Sequence, residues 1–114
     1  MHELSLAGSI LAIVEQAAAR DGFARVARLQ LEAGRLSGVE PEALRFALAA
    51  VARGTCLDGA ELLIDEPAAR GTCADCGRVE PVLERGQACP GCGSPRLVPQ
   101  GGDRLRVVEL LVAD

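Results

Sequence analysis

Two short motifs, Cys73-Ala-Asp-Cys76-Gly77 and Cys89-Pro-Gly-Cys92-Gly93, constrain this chain more than any other stretch. Twelve residues separate the pairs. That spacing lets two tight turns face each other and set four thiolates at the corners of a tetrahedron, the arrangement Zn(II) takes in structural sites. A glycine after each pair lets the chain fold back and aim backbone N–H groups at the sulfurs, and Pro90 stiffens the second turn. Two disulfides, or a single iron held by four thiolates, use the same spacing and stay open on this reading. Four cysteines fill a tetrahedral shell and leave no position for water or substrate, so a metal held there is structural and the function lies elsewhere.

The rest of the chain reads as a small α+β frame around that insert. Leu4, Ala7, Leu11, Val14 and Ala18 recur at helical spacing, widened by Leu6, Ile10, Ile13 and Ala17, and the helix stops at Asp21-Gly22. So broad an apolar face calls for a sheet beneath it. Residues 25–33 alternate as a half-buried strand. A second helix opens at Glu40-Pro41-Glu42, with Leu44, Ala47, Leu48 and Val51 as its inner stripe, and closes at Arg53-Gly54. A short strand over 60–65 is stopped by Pro67, and the last strand runs over 104–112. Its alternation shifts register between Val107 and Leu110, which implies a bulge near Val108–Glu109. A strand–helix–strand order implies a parallel, right-handed pairing of the first two strands. The expectation is a small mixed three-stranded sheet with two helices, formed by residues 1–69 and 100–114, plus an inserted four-cysteine, zinc-ribbon-like subdomain over 70–99.

Composition narrows the function. Nearly half the residues are apolar, but only Phe23 and Phe46 are aromatic, so the core is aliphatic. The net charge is −4, and an acidic chain gains nothing from releasing phosphate counterions, which disfavours nucleic acid as a partner. The insert, net +1 from its side chains, falls to about −1 when four thiolates surround a divalent metal. No Arg or Lys precedes Arg20, so the start does not look like a signal peptide, and no apolar run reaches the length of a membrane span. Paired cysteines with an unpaired Cys56 suit a reducing cytosol.

His2 is the only histidine. In Met1-His2-Glu3, the α-amine of Met1 and the backbone nitrogen of His2 close a five-membered chelate ring, and that nitrogen with imidazole Nδ1 closes a six-membered one. Glu3 offers a fourth donor through its backbone nitrogen or carboxylate. A planar, nitrogen-rich set of this kind favours Ni(II) or Cu(II) over Zn(II). The alternative is a chance polar residue on a frayed terminus, with Glu3 or Ser5 as a plain helix cap.

The combination of Met1-His2-Glu3-Leu4-Ser5-Leu6, Val39-Glu-Pro-Glu-Ala-Leu-Arg-Phe46, Gly59-Ala-Glu-Leu and the two cysteine pairs, in that order, resembles the HypA/HybF family of hydrogenase maturation nickel chaperones. The likeness covers essentially the whole chain. It implies Ni(II) at Met1, His2 and Glu3, structural zinc at Cys73, Cys76, Cys89 and Cys92, no enzymatic activity, and a cytoplasmic place. It also implies work with a nickel-handling GTPase, delivering nickel to the large subunit of [NiFe]-hydrogenase.

Two other classes compete. A zinc-ribbon nucleic-acid or transcription accessory module rests on the cysteine insert alone, against the acidic charge and the scarcity of stacking aromatics. A zinc deaminase would need His-x-Glu and Pro-Cys-x-x-Cys; here Pro90 follows Cys89 and His2 adjoins Glu3. No phosphate-binding Gly-x-x-x-x-Gly-Lys loop exists, so any GTP hydrolysis belongs to a partner. Cys56 reads as a small buried hydrophobe, and Glu40, Glu42 and Arg45 as a solvated helix face.

Overall fold

The structure, a computed structural model, describes residues 2–113. Helix α1 spans His2–Asp21. Ala7, Ile10 and Val14 form its buried line, with Leu6 and Leu11 half-buried beside it. Leu4 and Ile13, which the sequence pattern places in the stripe, are 49% and 52% exposed. At about 100° per residue they fall about 90° to either side of the buried line, too far round to reach the core. Gly22, at φ 77°, ends the helix and returns its N–H to the carbonyl of Ala18 at 2.9 Å.

Helix α2, Pro41–Val51, opens as expected from its sequence, with Pro41 in the first turn and Glu40 as N-cap, its carboxylate accepting from the Glu42 N–H at 3.1 Å. It buries Leu44, Ala47 and Leu48. Arg45 does more than face solvent: its guanidinium donates to the carbonyl of Leu62 at 2.7 Å and ties α2 to the neighbouring strand.

The first sheet has the order β2-β1-β6, with β1 at Val26–Ala33, β2 at Glu61–Asp65 and β6 at Leu105–Val112. β1 runs parallel to β2 and antiparallel to β6. The expected bulge is present: Gln30 pairs with Glu109 and Leu31 with Val107, leaving Val108 as the extra residue. A second shift leaves Ala27 unpaired between Val26 and Arg28. Leu29 and Leu31 point to the helices and close one core with Ala7, Ile10, Val14, Leu44 and Leu48.

The mixed pairing has a geometric result. Glu32 pairs with Asp65, and Ala33 with Leu105. The end of β2 and the beginning of β6 therefore flank the end of β1, and the chain leaves and returns at one edge of the sheet.

Between these points lies a second sheet, order β4-β3-β5, entirely antiparallel: β3 at Ala69–Cys73, β4 at Val79–Val82 and β5 at Leu97–Gln100. Sequence pattern does not reveal these strands. Each has four or five residues, and the inward positions of β3 are Ala69, Gly71 and Cys73, too small to read as an apolar alternation. Gly71 is required there, because a Cβ would run into Val82 and Leu97. A separate cluster of Leu36, Ala69, Cys73, Val82, Cys89 and Leu97 forms the core of this lobe.

The lobes lie end to end. The molecule measures 53 × 27 × 18 Å with a radius of gyration of 17.4 Å, against about 13 Å for a compact chain of similar length. No helix among the described residues is long and apolar enough to cross a membrane.

Leu31→Ala removes a side chain with no exposed surface and is expected to cost about 2–5 kcal/mol in chemical unfolding. Phe46→Ala, at a side chain 79% exposed, is expected to change stability by less than about 0.5 kcal/mol.

Candidate metal centre

The two cysteine turns are built alike. Each glycine after a pair sits at positive φ, 77° for Gly77 and 75° for Gly93. Each returns its N–H to the carbonyl of the first cysteine, Gly77 to Cys73 at 2.9 Å and Gly93 to Cys89 at 2.8 Å. β3 delivers Cys73 and its turn delivers Cys76; the second turn, beyond β4, delivers Cys89 and Cys92. Cys73 and Cys89 are buried, while Cys76 and Cys92 face out.

The four sulfurs lie within 4.8 Å of one another. Cys73 Sγ is 3.6 Å from Cys92 Sγ, and Cys76 Sγ is 3.7 Å from Cys89 Sγ. Metal–sulfur bonds of about 2.3 Å in a regular tetrahedron give sulfur edges of about 3.8 Å. All four cysteines are free, so the two-disulfide reading does not hold for this geometry.

The charge balance of the cluster points the same way. The backbone N–H of Cys76, donating to Sγ of Cys73 at 3.4 Å, holds the Cys73 thiol down to about 6, with the Asp75 N–H assisting. Its neighbours take the opposite course. The Ser94 N–H favours the Cys92 thiolate, but Cys73, burial, Cys76 and Cys89 together outweigh it and push Cys92 up to about 12. Cys76 is raised too: the Arg78 N–H favours its thiolate, and burial with Cys73 and Cys89 outweighs it. Thiolates this close repel, so they do not all ionise without a cation among them. The donor set fits a divalent metal.

A brace not legible in the sequence joins the turns. Asp75, inside the first turn, accepts from the Ser94 hydroxyl and from Arg96 Nη1, the latter at 2.9 Å. Ser94 Oγ in turn accepts the Arg96 N–H at 3.0 Å, and the Ala74 N–H bonds the Arg96 carbonyl at 2.9 Å. The only signal was an acid in one motif and a Ser-Pro-Arg after the other.

The other candidate donors lie in the first lobe. Met1 is outside the described residues. His2 begins α1 and is exposed, its Nδ1 3.6 Å from Oε2 of Glu3. That carboxylate also accepts the Glu40 N–H at 3.3 Å. The Glu40 N–H, with the backbone N–H of Glu3 itself, holds Glu3 below the usual carboxylate range. The structure thus brings His2, Glu3 and the N-cap of α2 together, which the sequence did not indicate. Cys56 is half-buried against the first core; burial raises its thiol, with Glu15 adding to the effect.

Fold and centre together define a two-lobed metal-binding protein. A family profile described as "Hydrogenase/urease nickel incorporation, metallochaperone, hypA" matches residues 1–112. The chain is 56% identical over 114 residues to the hydrogenase maturation factor HypA of Polaromonas naphthalenivorans, covering 100% of this chain and 99% of that one. It is 55% identical to its counterpart in Cupriavidus necator, covering 100% and 96%. The chain belongs to the HypA family. Its fold is that of the Ni metallochaperone HypA from Helicobacter pylori solved in solution, at TM-score 0.66, 22% identity and 96% coverage of both chains. A second solution structure of a HypA protein matches at TM-score 0.68 and 23% identity, covering 99% and 97%.

Asp75→Ala removes the brace while leaving all four thiols. Capture of the bound metal by a competing chelator is expected to show about a 10–100-fold loss of affinity, with Leu63→Ala, remote on β2, unchanged.

Proposed function

We propose that this protein is a nickel metallochaperone of hydrogenase maturation, with a transient Ni(II) site at its N-terminus and a permanent Zn(II) in the four-cysteine lobe. The observation that carries the reading is the family match over residues 1–112, which includes both the Met1-His2-Glu3 start and the four cysteines. Zinc suits a closed, redox-silent tetrahedral set of thiolates, and its role is to hold residues 70–99 folded.

Nickel falls to the α-amine of Met1, the backbone nitrogen and imidazole of His2, and Glu3. The surroundings support Glu3 in this role: its carboxylate is kept ionised, and with two oxygens it keeps lone pairs beyond those used by Glu40. An exposed His2 on the first turn of a helix suits a cargo that must be handed on. The recipient is the large subunit of [NiFe]-hydrogenase, and the transfer partner is a nickel-handling GTPase of the cytoplasm.

That GTPase docks on the helix–sheet lobe near the N-terminus, so that nickel moves between adjacent sites. Leu4 on α1 and Phe46 on α2 are exposed apolar groups of this lobe. Leu4→Glu and Phe46→Glu are expected to weaken GTPase binding at least about tenfold in titration calorimetry, as substitution of an anchoring residue does, with unchanged thermal unfolding. Full binding by both variants would place the docking surface elsewhere.

Nickel titration of three proteins tests the site: the free terminus, an N-terminal extension, and His2→Ala. The extension turns the amine into an amide and removes the first chelate ring although every side chain remains. Both altered proteins are expected to lose nickel binding while keeping about one zinc per chain. Equal nickel affinity across the three would overturn the assignment, and iron in the cysteine site would overturn the zinc.

A further inference from the structure

The segment from Gly34 to Gly38 lies between β1 and α2, yet its bonding reaches both crossing segments and the second lobe. Leu36 is 4% exposed, and the core cluster it belongs to is that of the second lobe, with Ala69, Cys73, Val82, Cys89 and Leu97. The backbone follows the side chain. The Arg35 N–H donates to the Pro67 carbonyl at 2.9 Å, on the segment leading out. The Leu36 N–H donates to the Gly102 carbonyl at 2.7 Å, and the Gly34 N–H to that of Arg104 at 2.9 Å, on the segment leading back. From the turn beyond β4, Arg85 Nη2 donates to the Leu36 carbonyl at 2.8 Å.

One loop therefore grips both crossing segments and the far turn of the second lobe. The crossings themselves are weak supports. The return carries Gly101 at φ 73° and Gly102 at φ 65°, and glycine is the most permissive residue for a hinge. Gly34 packs directly on Gly102, and Gly102 on Ala69, so closely that a Cβ at either glycine would strike backbone.

We propose that residues 34–38 are a latch that locks the four-cysteine lobe to the helix–sheet lobe, with Leu36 as the inserted side chain and Arg85 holding it from the far side. With the latch closed, the lobes form one elongated body. With Leu36 withdrawn, three residues outward and the glycines on return remain between them, and the lobes reorient independently. Leu36 and Arg85 are positioning residues: neither supplies a metal ligand. The inference stands apart from the nickel assignment, since it concerns neither the N-terminus nor any cargo.

Hydrogen exchange and NMR relaxation of the full-length, metal-loaded chain test it. The Leu36 amide reports the latch directly, because its N–H bonds to the returning crossing segment while its side chain sits in the second lobe's core. Arg85→Gln is expected to speed its exchange by about two- to tenfold, the effect of one hydrogen bond. Leu36→Ala is expected to speed it by at least about thirtyfold, the effect of an emptied core position, and to give the two lobes separate rotational correlation times. Core amides of Leu29 and Leu31 serve as the reference and stay protected. If Leu36→Ala unfolds the second lobe, Arg85→Gln decides alone. Unchanged exchange at Leu36 in Arg85→Gln, or a single correlation time in a folded Leu36→Ala protein, would overturn the latch.

Discussion

The double pairing of β1 is the constraint on which the rest depends. Because β1 runs parallel to β2 and antiparallel to β6, the outgoing and returning segments lie on either side of the point where β1 itself ends. Two parallel partners would have put the beginning of the last strand at the opposite edge, and the insert would have had to span the sheet. With this arrangement, a second folded unit hangs from one edge without disturbing the helices packed on the face. The bulge at Val108 lets Leu110 face the core on one side of it and Val107 on the other.

The second lobe obeys a different economy. Its apolar cluster has six buried side chains, one borrowed from the other lobe and two of them cysteines. So small a core does not hold a fold of three short strands by itself. The hydrogen bonds of the two turns and the Asp75–Ser94–Arg96 brace arrange the sulfurs, and a cation held among them would relieve their mutual repulsion and complete the unit.

What could be read in the sequence follows from the range of the signal. Helix ends at Gly22 and Pro41, the alternation of residues 25–33 and the register break near Val108 are local patterns, and each has its counterpart in the fold. The clustering of four cysteines was equally legible, because spacing and valence leave few geometries. Three things were not. The β3, β4 and β5 strands are stabilised by the site and by one another, not by propensity. The contact between Glu3 and Glu40, and the burial of Leu36 in a remote core, join residues that no periodicity links. The exposure of Leu4 and Ile13 depends on how much of α1 its neighbours cover, which an isolated helical wheel does not contain.

The shared edge also bears on the order of assembly. Joining β6 to a sheet already holding β2 means closing a loop of about 40 residues, and the entropic penalty for closure grows with the logarithm of its length. Once β3 pairs with β5, Arg70 stands opposite Gln100 and most of that loop is tied off. The chain left to search is then only the two short crossings, a saving of about 1–1.5 kcal/mol in closure entropy. A second lobe that pairs β3 with β5 first thus acts as an intramolecular scaffold for β6, holding the two crossings close enough for the first sheet to be completed over a short search.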